Sequence, residues 1–107
     1  MTWGAHLPKP MNNKLRVADD LADFIRGAHP ELKRKIKSAL KHILSDPHSG
    51  KHLRDELHGL MSYKVGRFRI IYRLARLAAD RVIEIVAIGP RRVIYEFTYR
   101  IVKKEME

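Results

Sequence analysis

The chain of 107 residues contains no cysteine. That excludes a disulfide framework, a thiolate nucleophile and a zinc site built on cysteine. It has no run of about 18 apolar residues, so no transmembrane helix is expected. No apolar signal-peptide core stands near the N-terminus, and a cytoplasmic location is the expectation. Repeats and low-complexity tracts are also missing. Six histidines are scattered at His6, His29, His42, His48, His52 and His58. None pairs with another at i, i+4 on a convincing helix face, so neither a metal nor a cofactor is expected. Acids are scarce: 12 Asp and Glu stand against 22 Lys and Arg, a net charge of +10. Such an excess in a small domain favours nucleic acid or another acidic partner.

What is present fits one domain, since domains commonly hold about 100–150 residues. The apolar fraction of 45% suffices for one core. The charge is unevenly placed. Residues 31–76 hold twelve Lys and Arg against four acids, a local excess of eight, and the flanks are close to balanced. Within this stretch Ser62–Tyr72 reads SYKVGRFRIIY, a β-hairpin with Gly66-Arg67 at the turn. Glycine first in a two-residue loop suits a type II′ turn. That register opposes Val65 to Phe68, Tyr63 to Ile70 and Met61 to Tyr72, one apolar face. On the other face it sets Lys64 opposite Arg69. Like charges placed directly across two strands destabilise a sheet. A pair of cations held in this way points to an absent anion, and for a basic chain to phosphate. A solvated sheet face is the plain alternative.

The remaining pattern is α+β. Residues 1–13 carry two Pro and one Gly without periodicity and read as an arm. Lys14–Ala18 permits a short strand. Asp19 or Asp20 is a suitable helix cap, and Leu21, Phe24, Ile25 and Ala28 share one helical face until His29-Pro30. Pro30 and Glu31 suit the first turn of a second helix. Leu32, Ile36, Leu40, Ile43 and Leu44 form its buried stripe, and Ser45-Asp46-Pro47 ends it. A two-residue connection makes the pair an antiparallel helical hairpin. Residues 47–58 form a basic, mostly irregular link. After the β-hairpin, whose second strand runs to about Leu77, Ala78–Asp80 turn the chain. Arg81–Ile88 is a largely buried strand, and Gly89-Pro90 ends it. The tail suits a helix by its Ile94, Phe97, Ile101 spacing, though its aromatic and β-branched residues also suit a strand. The expected architecture is a helical hairpin packed on a curved, mainly antiparallel sheet of three or four strands. The sheet face with Lys64 and Arg69 would lie open to a ligand.

From about Leu15 to Tyr95 the chain resembles the RelE/ParE superfamily of bacterial type II toxins. The resemblance rests on the helical segment ending in Ser45-Asp46-Pro47 and on the link Gly50-Lys51-His52-Leu53-Arg54-Asp55-Glu56-Leu57. It continues through Ser62–Tyr72 and closes with Ile85-Val86-Ala87-Ile88-Gly89-Pro90-Arg91-Arg92-Val93-Ile94-Tyr95. It implies a RelE-like fold and a toxin held inactive by a cognate antitoxin. RelE-like members cleave mRNA in the ribosomal A site; ParE-like members poison DNA gyrase. Carried over position by position, Lys64 and Arg69 match the family's cations on the hairpin strands. Arg91 matches the Arg after the last strand, and Tyr95 the terminal Tyr. Pro90 stands where many members have His, and Gly66 where they have a second Lys.

RNA cleavage by its own 2′-OH needs a base, cations to stabilise the phosphorane and an acid for the leaving oxygen. Arg69 and Arg91 suit the second role, because a guanidinium meets phosphate oxygens in bidentate fashion. Lys64 suits a point charge, or a base if neighbouring cations lower its pKa. Tyr95 suits a general acid or a stacking platform for a base, or simple packing at the sheet edge. His52 and His58 precede the hairpin, with surface-loop histidines the commoner case. Further phosphate contacts are expected from Arg34, Lys37, Lys41, Lys51, Arg54, Arg67 and Arg73. Phe97, Tyr99, Ile101 and Val102 suit either closure of the core or an antitoxin groove. The leading reading is a metal-independent endoribonuclease acting on mRNA with the ribosome. A gyrase inhibitor and a decayed toxin that keeps its antitoxin are the alternatives.

Overall fold

The computed structural model describes residues 13–107, so all of the expected arm but Asn13 lies outside the described residues. The elements run β1 (Asn13–Val17), α1 (Asp19–Gly27), α2 (Pro30–Ser45), β2 (Lys51–His52), a short 3-10 turn (Asp55–Leu57), β3 (Met61–Val65), β4 (Phe68–Leu77), β5 (Asp80–Pro90) and α3 (Arg91–Met106). They form one five-stranded sheet in the order β1-β5-β4-β3-β2. The α+β class is as expected, and the sheet is larger than the expected three or four strands. The added strand is β2, two residues of the link expected to be irregular, paired with Met61 and Ser62. The short strand permitted over Lys14–Ala18 is present as β1, which joins β5 in parallel. A parallel pairing needs a long crossover, and here α1, α2 and the whole hairpin supply it.

The helices start and stop largely as their residues dictate. Pro30 opens α2, and His29 caps it by accepting from the Glu31 N–H. For α1 no side chain caps the N-terminus; Asp19 and Asp20 lie inside its first turn instead, where their charge suits the helix dipole. The β3–β4 register is the expected one at every rung, Met61 to Tyr72 through Val65 to Phe68. Gly66 takes φ +58° and Arg67 does not, as a type II′ turn demands.

Two cores sandwich the sheet. Alternation along β4 sends Ile70 and Tyr72 to one side, where they meet Ile25, Ile36, Leu40 and Ile43 of the helical hairpin and Ile83, Ile85 and Ile88 of β5. It sends Ile71 to the other side, against Ala87, Leu60 and Ile94. A bulge at Val86, where the β4–β5 register shifts, turns Val86 and Ala87 to this same second side. Ile94 belongs to α3, so the tail is a helix and it packs here. This corrects the expected open face: α3 covers its middle, and the two ends remain accessible, Lys64 and Arg67 at the first hairpin turn and Ala75 and Leu77 at the far end of β4.

Candidate functional site

Directly paired residues of an antiparallel ladder share a face, so the register builds the site. One rung holds Lys64, Arg69 and Gly89; the next holds Lys51, Ser62, Ile71 and Ala87. All project to the α3 side. Lys64 and Lys51 are exposed and Arg69 is half-buried. The start of α3 is tied to this end by the Arg91 N–H, which donates to the Arg67 carbonyl at 2.8 Å. One turn along α3, the Tyr95 hydroxyl meets the Ser62 hydroxyl at 3.3 Å. Along β3, Ser62 is two residues from Lys64, about 7 Å at 3.4 Å per residue. Lys64, Arg69, Arg91 and Tyr95 therefore gather at one end of one sheet face, joined by Lys51 and Arg67.

Arg69 is less of an orphan than the sequence implies. Its Nη1 donates to the carbonyls of Gly66 at 2.9 Å and Phe68 at 2.8 Å. The turn carbonyls supply part of the negative potential that the opposed Lys64 lacks. They also fix the guanidinium and leave its Nε–Nη2 edge without a partner among the described residues, an edge that suits two phosphate oxygens. Arg91 and Arg92 begin α3, which has no acid in its first turn. Cations at this positive helix end cost roughly 0.3–1 kcal/mol, where acids are favoured. None of the ion pairs among described residues involves Lys51, Lys64, Arg67, Arg69, Arg91 or Arg92. This end of the molecule is strongly positive and unmatched.

Other expected contacts disperse. Arg34 comes round the edge of β3: with Lys35, Ser38, Tyr63 and Lys64 it lines a shallow groove of about 310 Å³. Lys37 and Lys41 line a second groove, with Lys33 and Arg34, on the outer side of α2. Arg54 is exposed just before the 3-10 turn. Arg73 lies past the bulge, where its guanidinium holds Glu84 on β5 and Glu105 on α3. These carboxylates push its pKa further up, and it clamps the helix to the sheet. His52 pairs with Met61, so it faces the helical hairpin side, with its ring stacked on His48 at 6.3 Å. His58 is exposed at the end of the 3-10 turn. The sequence reading missed Lys35 and Ser62; for Ser62 the signal was its spacing of two from Lys64, which places both on one face. Among the described residues no group of three His, Asp or Glu converges on a metal position, and no helix is long and apolar enough to cross a membrane.

A five-stranded sheet with a helical hairpin on one face and a terminal helix on the other is the fold of RelE-like toxins. The family model described as "ParE toxin of type II toxin-antitoxin system, parDE" matches residues 15–95, and the chain belongs to that toxin family. In structure it is similar to a mutant of the E. coli toxin RelE in the free state. That match has a TM-score of 0.66 at 16% identity and covers 91% of this chain and 100% of that one. It is also similar to the YoeB/ParE toxin from Agrobacterium tumefaciens, with a TM-score of 0.62 at 17% identity over 73% and 98% of the chains. A third likeness is to the toxin–antitoxin complex RelBE2 from Mycobacterium tuberculosis, with a TM-score of 0.62 at 22% identity over 78% and 95%. No curated protein matches by sequence.

Proposed function

We propose that this toxin binds RNA phosphate at the hairpin end of its sheet and cleaves mRNA with the ribosome. One observation carries the reading: the preset guanidinium edge of Arg69, beside Lys64 and the Arg91-Arg92 start of α3, with no carboxylate opposing any of them among the described residues. Fixed donors aimed at a phosphate are what a phosphorane needs, because they require no reorganisation as charge develops. Arg69 and Arg91 hold the phosphoryl oxygens. Lys64 adds a point charge and Tyr95, with Ser62, is the proton donor within reach. Lys51, Arg67 and Arg34 extend the contact along the backbone, with Arg54, Lys37 and Lys41 on its flanks.

Primer-extension mapping of mRNA ends after induction tests this. Cuts inside codons are expected, and Arg69→Ala with Arg91→Ala should slow cutting by about 100-fold or more, the scale of losing one fixed donor. Intact mRNA with accumulated gyrase–DNA cleavage complexes would overturn it in favour of gyrase inhibition. That second reading is favoured by Gly66 and Pro90, which stand where many members carry a lysine and a histidine suited to proton transfer. An antitoxin partner is inferred from the family, and the RelBE2 complex among the structural likenesses supports it. Val93 and Phe97, each more than half exposed on α3, give it apolar surface.

A further inference from the structure

The far end of β4 repeats the electrostatic conflict of the first hairpin. There Arg76 stands directly opposite Arg81, one rung before the Ala78-Ala79 turn. Opposed like charges weaken a ladder, so a bare pair is a cost to folding. No carboxylate lies within 4 Å of either guanidinium among the described residues. The acid nearest in sequence, Asp80, is held by Lys14 at 2.8 Å. Residues 1–12 contain no Asp or Glu, so that segment brings no carboxylate either. Unlike Arg69, neither arginine donates to a backbone carbonyl or any other group among the side-chain hydrogen bonds of the described residues. Arg76 is exposed and Arg81 half-exposed, beside the bare tip residue Leu77.

Position separates this pair from the first site. Arg69 and Arg76 are seven residues apart on one strand, roughly 23 Å. Seven is odd, so the two side chains leave opposite faces of the sheet. Arg76 and Arg81 share the face of Leu74 and Ile83, the α1–α2 side, whereas Arg69 lies on the α3 side. A single strand seated on Lys64 and Arg69 does not reach both along one face.

We propose that Arg76 and Arg81 form a second phosphate-binding site that anchors a double-helical segment of nucleic acid, distinct from the strand held at the first site. The proposal rests on the nucleic-acid reading above. Two guanidinium forks on adjacent strands meet neighbouring phosphates of a backbone, and the contact reads shape and charge rather than bases.

The test is fluorescence anisotropy of purified full-length chain across a salt series, with three probes: an RNA stem-loop, a DNA duplex of the same stem sequence and a single-stranded RNA. Arg76→Thr with Arg81→Thr should weaken stem binding and reduce the slope of log K against log salt by about 2, near 0.9 for each phosphate no longer neutralised. Single-strand binding should not change. Arg69→Ala with Arg91→Ala should do the reverse. The Arg76→Lys, Arg81→Lys chain should keep the slope. The Thr variant should also melt higher than wild type, since a repulsion is removed; a purely structural pair would melt lower. Stem-loop and duplex probes distinguish an RNA anchor from a backbone site that accepts DNA as well, and either result supports the site. An unchanged stem affinity and slope in the Thr variant overturns it while the first site stands. Wild type that binds no probe overturns both.

Discussion

Tyr72 shows how much one residue holds. Its ring is fully buried, and its hydroxyl donates to the Pro47 carbonyl and accepts from the Gly50 N–H, both at 2.9 Å. It thereby pins the loop between α2 and β2, which delivers Lys51 to the site face. Gly50 is needed for this approach: a Cβ there would stand 2.6 Å from the Tyr72 hydroxyl. Gly50→Ala is expected to cost about 1–3 kcal/mol, the range for overpacking a core, measured by urea unfolding. Tyr72→Phe leaves the buried Pro47 carbonyl and the part-buried Gly50 N–H without this partner and should cost about 1–3 kcal/mol. Burial raises the Tyr72 pKa above its ordinary value of 10.0, against the Gly50 N–H, which favours the phenolate. The folded state therefore holds this proton more tightly than the unfolded chain. Its contribution is complete below pH 10 and is lost as pH rises through the raised value. Thermal melts from pH 9 upward should fall less steeply for Tyr72→Phe than for wild type. The sequence placed Tyr72 opposite Met61 correctly, because strand register is local. Its hydroxyl partners lie 22 and 25 residues away, and no periodicity reports them.

At the scale of elements, α3 and the second hairpin carry the testable features. Ile94 is almost wholly buried between α3 and the sheet. Ile94→Ala should cost about 2–5 kcal/mol and expose the Ile71–Ala87 side of the sheet, seen as faster amide exchange along β4. Arg73 ties the other end of the helix through Glu105. Arg73→Met should lower stability by about 1 kcal/mol or less, given partial solvent screening; greater loss of nucleic-acid affinity than of stability would contradict its role as a clamp. In the β4–β5 turn Ala78 adopts φ +57°, a conformation that glycine takes more easily. Ala78→Gly should raise stability by up to about 1 kcal/mol in chemical denaturation, because left-handed backbone costs an L-residue about 1–2 kcal/mol. The helical hairpin was legible from its apolar stripe and Pro30. The two-residue β2 was not, because its pairing depends on the edge that β3 presents.

At the scale of the molecule, charge and topology act together. A chain of net charge +10 keeps two cross-strand cation pairs at opposite ends of β4 and opposite faces of its sheet. Both ends combine unmatched charge with a tight hairpin turn, and the fold holds them apart. The sequence by itself determined the α+β class, the two helices, the first hairpin with its register and turn, and the concentration of cations in the middle of the chain. Each follows from rules that act over a few residues: side-chain period, capping and turn conformation. Only the tertiary structure decided which cations are available. Arg73 is neutralised by carboxylates 11 and 32 residues away, Arg69 is oriented by the turn, and Arg34 lines one groove with Lys64 at the edge of β3. It also decided that α3 closes most of the second sheet face and brings Tyr95 to Ser62. Those outcomes depend on which distant surfaces bury one another, and burial is a property of the assembled sheet rather than of any stretch of its sequence.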